Sequence, residues 1–282
     1  IMRNCDTLLV LGSTMPWEEY YPPPGQARGV QVDLKPDRIG LRYPVEVGLA
    51  GDVRATLQAL LPLLERQSAR AFLDEAQRRM ADWNELLNQV ESVERSPLRP
   101  QMVMRAVSDL LDDNAVISLD CGANTHFAAR CLRLRPEQRL TGTGMLASMA
   151  SGLPFAIAAR LAHPQRQSVA IVGDGGFSML MAELATAVFN DLPVKIIILK
   201  NDSLAEVKFD QKDLGNPEYG CALAPIDFVS FAKACGADAF QCSHPREVRP
   251  AIQSALSSPR AAIVEAVVGA NEKPAKPDEL RA

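Results

Sequence analysis

The sequence lacks any CxxC pair, and its six cysteines, Cys5, Cys121, Cys131, Cys221, Cys235 and Cys242, are scattered along 282 residues. Its three histidines, His126, His163 and His244, stand alone. Together these exclude the ligand spacings of a zinc site. Thiols without a pairing pattern predict a reduced, cytoplasmic setting. No apolar run reaches the roughly 18 residues that a membrane-crossing helix needs, which argues against a membrane partner. There is no excess of basic charge either. Lys and Arg number 30, Asp and Glu 34, and the formal net charge is −4. A nucleic-acid partner is therefore not expected. No GxGxxG follows a strand, which ranks a dinucleotide-binding dehydrogenase last. The opening IMRNCDTLLVLGS has no basic leader before an apolar core, so it does not read as a signal peptide.

What is present predicts an α/β protein. Hydrophobic residues make up 47% of the chain and charged residues 23%, which suits a packed core. The length suggests about two domains. TLLVLG reads as a buried strand, and the prolines Pro22 to Pro24 forbid regular helix in the loop after it. GVQVDL is a second strand carrying Asp33, and VEVGLAGD a short third. Asp52 caps a helix, DVRATLQALLPLLERQ, with Leu57, Leu60, Leu61 and Leu64 on one side. That is an open α/β pattern with too few elements for a complete domain, so residues 1–67 read as a partial Rossmann-like domain. Residues 68–98 read as a helical linker, broken at Ser96-Pro97-Leu98-Arg99-Pro100.

From 99 to 270, apolar strand runs alternate with helix patterns. AVISLD, SVAIVG, VKIIILKN, DAFQC and AAIVEAVV are the strands. Near-continuous apolar strands of this kind predict a parallel sheet with helices on both faces. RPEQRLTGTGMLASMASG reads as a loop. Residues 271–282 read as a loose polar tail.

One pair of residues points to chemistry. SVAIV, FSMLMAELATAVFN and VKIIILK read as strand, crossover helix and next parallel strand. A right-handed crossover then puts Asp174 of GDGG and Asn201 at carboxyl ends of strands on one sheet edge, where open α/β sheets bind ligands. A carboxylate and an amide carbonyl are hard oxygen donors, suited to Mg²⁺ or Ca²⁺. Magnesium commonly completes its shell with substrate phosphate. Gly173, Gly175 and Gly176 allow a phosphate close to the backbone, and a helix from Phe177 would direct N–H groups at it. GDGG alone also fits an ordinary strand-to-helix turn. Its pairing with Asn201 on the right elements favours a metal and diphosphate site.

GDG followed by an asparagine after an apolar strand resembles the thiamine-diphosphate-dependent enzymes, nearest to the pyruvate oxidase and acetolactate synthase group. SMASGLPFAIAARL resembles that family's segment around the cofactor's pyrimidine, and DCGANTHFAAR its diphosphate loop. ARGVQVDLKPDRIGLRYPVEVGLAGDVRATLQALLPLL resembles its middle domain, so the likeness covers nearly the whole chain. It implies a thiamine diphosphate-binding fold over 99–270 and Mg²⁺ held by Asp174, Asn201 and the carbonyl of Ser203. It implies a cofactor-binding set of Gly122, Ala123, Asn124, Ala147, Met149, Gly173, Gly175 and Gly176. Met149 would lie under the cofactor and force its two rings into a V, although plain core packing also explains a methionine in so apolar a segment.

The implied activity is decarboxylation of a 2-oxo acid such as pyruvate, with an acetolactate synthase-like carboligase as the alternative. The family's activating glutamate belongs to a pyrimidine-binding domain that no stretch here resembles. The catalytic acid–base residue is thus unassigned, and the partner expected is that domain, from a missing segment or another subunit of a homo-oligomer. The chain alone reads as inactive, or as a non-catalytic cofactor-binding piece. Glu183, on the crossover helix, reads as solvated or capping, and Glu206 as a residue that could face the substrate. Asp33 fits either an adenosine ribose, as in FAD-binding relatives, or a simple turn. Lys200 stands where family members commonly have a first asparagine. Strand alternation points it away from Asn201, which favours a tolerated change outside the metal shell over a cation near the diphosphate.

Overall fold

A computed structural model describes residues 1–66 and 68–274. The chain divides into two compact units, Ile1–Ala81 and Asp82–Ala282. The helical segment expected between the two domains is a helix from Ala71 to Glu91, and the division falls inside it. Most of the tail expected after residue 270 lies outside the described residues.

In the first unit, β1 (Thr7–Leu11), β2 (Arg28–Asp33) and β3 (Val47–Ala50) form a parallel sheet in the order β1-β2-β3. Helix α1 (Val53–Leu60) follows, and the Asp52 carboxylate accepts the Ala55 N–H at 2.8 Å, the cap expected there. Pro62 shortens the helix, and residues 61–63 continue only as a 3₁₀ turn. A small core gathers Leu8, Tyr21, Ala27 and Tyr43, with the two tyrosine rings stacked at 6.0 Å. Asp33 is buried, and its carboxylate accepts the N–H of Lys35 at 2.9 Å. That is a local turn bond of the kind aspartate commonly makes.

Helix α2 (Ala71–Glu91) leads to α3 (Pro100–Leu110), which opens the second unit's main sheet. The order is then β4 (Val116–Leu119), α4 (Ala123–Cys131), β5 (Arg139–Thr141), α5 (Gly152–Ala162), β6 (Ser168–Gly173), α6 (Asp174–Leu180), α7 (Glu183–Phe189) and β7 (Lys195–Lys200). It continues with α8 (Ala205–Asp213), α9 (Phe228–Ala234), β8 (Asp238–Cys242), α10 (Pro245–Ser257) and β9 (Ala262–Val267). The six strands are parallel and ordered β5-β4-β6-β7-β9-β8.

Strand alternation builds a core on each face of this sheet. Ile117, Val169, Ile171, Ile197 and Val264 pack with Val103, Met104 and Ile252 of α3 and α10. Ala170, Val172, Ile196, Ile198 and Ile263 pack on the other side with Leu153, Leu184 and Phe228. Four local readings need correction. The single crossover helix is two, α6 and α7, separated at Met181-Ala182. The helix after GDGG begins at Asp174, not at Phe177. The stretch 135–152 holds the short edge strand β5, and α8 follows Asn201 where no helix was expected.

Strand order fixes where a ligand fits. From β4 the chain runs outward to β5, then returns to β6 on the other side of β4. The loops after β4 and β6 therefore diverge, which opens a crevice at their carboxyl ends.

Candidate functional site

A cavity of about 240 Å³ lies at that switch point. It is lined by Gly122, Ala123 and Asn124 after β4, by Gly173, Asp174, Gly175 and Gly176 at the end of β6, and by Asn201 and Ser203 after β7. Ala147 and Met149 complete it from the turn before α5. Every cofactor-binding and metal-ligating residue suggested by the sequence thus lines one cavity.

Asp174 is its polar centre. Its Oδ1 accepts the N–H of Gly175 at 3.0 Å. Its Oδ2 accepts the N–H groups of Asn201 at 3.0 Å and Asp202 at 2.6 Å. Burial pushes the Asp174 carboxyl up, and the N–H groups of Asp202, Asn201 and Gly175 pull it back. Asn201 presents Oδ1 to the Ser203 N–H at 3.0 Å, and Asp202 turns the chain with a left-handed φ of 52°. A β6–β7 register that pairs Gly173 with Leu199 sets this up, because it brings the two strand ends level. Lys200 points elsewhere, and its Nζ lies 3.4 Å from Asp202 Oδ1.

The glycines serve close packing. A Cβ on Gly176 would stand 2.0 Å from Asp120 Oδ2. One on Gly175 would meet Leu204 Cδ2 at 3.0 Å and Leu223 Cδ1 at 3.1 Å. Gly122 has a φ of 127°, which side chains rarely adopt. Asn124 donates a side-chain N–H to the carbonyl of Ile171 at 3.2 Å, which ties the loop after β4 to β6.

A magnesium diphosphate suits these residues. Asp174 and Asn201 offer hard oxygens, and an ionised carboxylate has lone pairs beyond those its N–H donors use. Among the described residues no three His, Cys, Asp or Glu side chains gather as a metal cluster. A cation here would draw the rest of its shell from backbone and from bound phosphate, as magnesium does.

Glu206 also lines the cavity, at the start of α8. Its Oε1 lies 3.4 Å from His126 Nδ1, and its Oε2 is buried without a hydrogen-bond partner among the described residues. Burial raises its carboxyl, and His126 opposes the shift. Glu183 is half-buried, accepts the Thr186 hydroxyl at 2.8 Å and is not among the lining residues. Sequence reading missed several walls. Pro100, Val268 and Glu272 line the cavity from remote parts of the chain, and no local pattern announces them. It also passed over Asp120, whose signal was available as an acid at a strand end two residues before a glycine.

Comparison with known proteins gives the family of the chain. Residues 120–266 match the model of the thiamine pyrophosphate enzyme C-terminal TPP binding domain, and residues 1–60 match the central domain of the same enzymes. A Bacillus subtilis (strain 168) protein with the provisional name thiamine pyrophosphate-containing protein YdaP is 37% identical over 273 residues, 97% of this chain and 47% of that protein. Pyruvate oxidase of Lactiplantibacillus plantarum is 28% identical over 284 residues, 99% of this chain and 47% of the relative. Acetolactate synthase isozyme 3 large subunit of Escherichia coli (strain K12) is 29% identical over 274 residues, 92% of this chain and 46% of the relative. The chain spans about half the length of the curated relatives it matches. No described helix is long and apolar enough to cross a membrane.

Proposed function

This chain belongs to the thiamine pyrophosphate enzyme family, and we propose that it supplies the diphosphate-binding half of a site that decarboxylates a 2-oxo acid such as pyruvate. The observation that carries this reading is the engagement of Asp174 with the Asn201 backbone at the mouth of the β4–β6 crevice. Asp174, Asn201 and the Ser203 carbonyl hold Mg²⁺. Gly175, Gly176, Ala123 and Asn124 face the diphosphate by backbone, and Ala147 and Met149 meet the pyrimidine side. When bound, thiamine diphosphate supplies the carbon nucleophile and electron sink for loss of carbon dioxide.

The chain's own groups do the rest of the work in this half. The metal ligands fix the diphosphate, so its position is set before substrate arrives. Apolar walls from Phe127, Leu199, Leu204 and Val268 exclude water. Glu206 faces the cavity as a carboxyl that burial makes harder to ionise, with His126 opposing that shift. A pyrimidine-binding domain, from the same or another polypeptide of a cytoplasmic homo-oligomer, supplies the activating glutamate. The similarity to acetolactate synthases supports a second reading, a carboligase that joins the decarboxylated fragment to another 2-oxo acid.

Calorimetric titration tests the core of the proposal. The chain should bind thiamine diphosphate with Mg²⁺ and lose that binding in EDTA. Equal affinity with and without the chelator would sink the metal assignment.

A further inference from the structure

Asp120, one residue beyond β4, falls outside every ligand set considered so far. The residue is 3% exposed. Its Oδ1 accepts the N–H groups of Cys121 at 2.8 Å and Ser151 at 3.2 Å. Its Oδ2 is buried with no partner among the described residues and lies against Gly176. Its backbone N–H donates to the Ile171 carbonyl at 3.1 Å, and its own carbonyl accepts the Thr125 hydroxyl. One residue therefore touches the loop after β4, the turn before α5, the start of α6 and strand β6.

The turn before α5 needs such a hold. Ala147 and Ala150 have left-handed φ values of 50° and 70°. Alanine adopts that conformation only where its surroundings enforce it. Ser151 follows directly. Its N–H is tied to Asp120 Oδ1, and its hydroxyl donates to the Leu119 carbonyl at 3.3 Å. Both anchors come from the end of β4, which also launches the loop holding Ala123 and Asn124.

We propose that Asp120 is a positioning residue that couples the two halves of the cofactor site, fixing the turn that carries Met149 relative to the loop that carries Ala123 and Asn124. The inference rests on the assignment made above, with the turn on the pyrimidine side and the loop on the diphosphate side. Thiamine diphosphate spans both sides and depends on their spacing. Inorganic pyrophosphate occupies the diphosphate side alone and depends on it far less. The device is hydrogen-bond acceptance at Oδ1. Asparagine keeps an acceptor oxygen and nearly the same shape, whereas alanine keeps neither.

The experiment titrates Mg²⁺–thiamine diphosphate and Mg²⁺–pyrophosphate into the wild-type chain, Asp120→Ala and Asp120→Asn by calorimetry. In Asp120→Ala the ratio of thiamine diphosphate to pyrophosphate affinity falls by about tenfold, the scale of one lost hydrogen bond. In Asp120→Asn the ratio stays within about twofold of wild type. An unchanged ratio in folded Asp120→Ala, even with both affinities reduced, would mean a merely structural residue and overturn the coupling. So would an asparagine variant as impaired as alanine. A measurement on the wild type covers the case in which Asp120→Ala does not fold. Mg²⁺–pyrophosphate should slow hydrogen exchange at the Ser151 amide, on the side it does not touch. Unaltered exchange at Ser151 in the bound state overturns the proposal. If neither ligand binds the wild type, the proposed function fails and takes this inference with it. Binding without the split overturns the coupling alone.

Discussion

The Asp174 carboxylate reaches across from the end of one strand to the next, where its Oδ2 accepts the backbone N–H of Asn201 at 3.0 Å. The two residues that would ligate a metal are thus tied to each other by the protein itself. Asp174→Ala removes the proposed metal ligand and the acceptor for three N–H groups at once. Affinity for Mg²⁺–thiamine diphosphate should fall by at least about a hundredfold in a calorimetric titration. Retained binding would place the diphosphate elsewhere.

Lys200 offers a contrast. Its ammonium pairs with Asp202 rather than turning toward Asn201. Lys200→Asn should leave cofactor affinity within about threefold, since a partly exposed ion pair of this kind contributes about 0–1 kcal/mol. A tenfold change in the dissociation constant would say that the lysine senses the diphosphate.

At Gly176 the prediction concerns packing. The methyl group of Gly176→Ala would stand 2.0 Å from Asp120 Oδ2, a contact that forces the carboxylate aside. Overpacking on this scale should cost about 1–3 kcal/mol in urea denaturation. Wild-type stability together with unchanged cofactor binding would show that the carboxylate moves freely.

The titration of Asp120 gives a pH signature. Burial raises its carboxyl above the ordinary value of 3.8, so the folded state keeps the proton to higher pH than the unfolded chain does. Stability from this group therefore declines as pH rises from 3.8 through the raised folded value. Asp120→Asn removes that decline. The variant's Tm should exceed that of the wild type at neutral pH, and the gap should close as pH is lowered toward 3.8. A gap independent of pH would contradict the assignment.

Glu91 makes a separate prediction, about stability alone. Its side chain is 2% exposed and receives Arg105 at 3.2 Å and Arg133 at 2.9 Å. Burial raises its carboxyl, and the two guanidinium groups oppose that. Glu91→Ala removes the buried carboxylate that both cations share, leaving Arg105 with Asp109 and Asn88 and Arg133 with Asn88. The loss should be about 1–3 kcal/mol, between an exposed pair and a fully buried one, read from chemical denaturation. Cofactor affinity, measured well below the transition, should not change.

Much of the second unit was legible because its strands are apolar runs that end in distinctive residues. SVAIVG and VKIIILK could hardly be other than buried parallel strands, and their ends carried Asp174 and Asn201. The break at Met181-Ala182 left no mark, because the apolar and helix-forming pattern runs straight through it. Strand β5 is short and exposed, so it lacks the burial that gives a strand its alternation. Helix α8, AEVKFDQKD, has too few apolar residues to show a stripe, and its hold is tertiary. Buried Lys208 donates to the Ala270 carbonyl at 2.6 Å and to the Asn271 side chain at 3.2 Å. For the same reason Val268 and Glu272 could not be foreseen as cavity walls. They reach it through contacts that span dozens of residues, and no window of sequence contains both partners.

The pairing of Gly173 with Leu199 has a further consequence, for how this chain tolerates change. Metal-site geometry is written in the lateral alignment of two strands, and the length of the connection between them does not enter. Extra residues at the turn 191–193 would lengthen the crossover and leave the alignment intact. One extra residue within β6 would shift every later position of that strand by about 3.3 Å and reverse which face it presents. Natural length variation should therefore gather in the connection, while both strands keep their count.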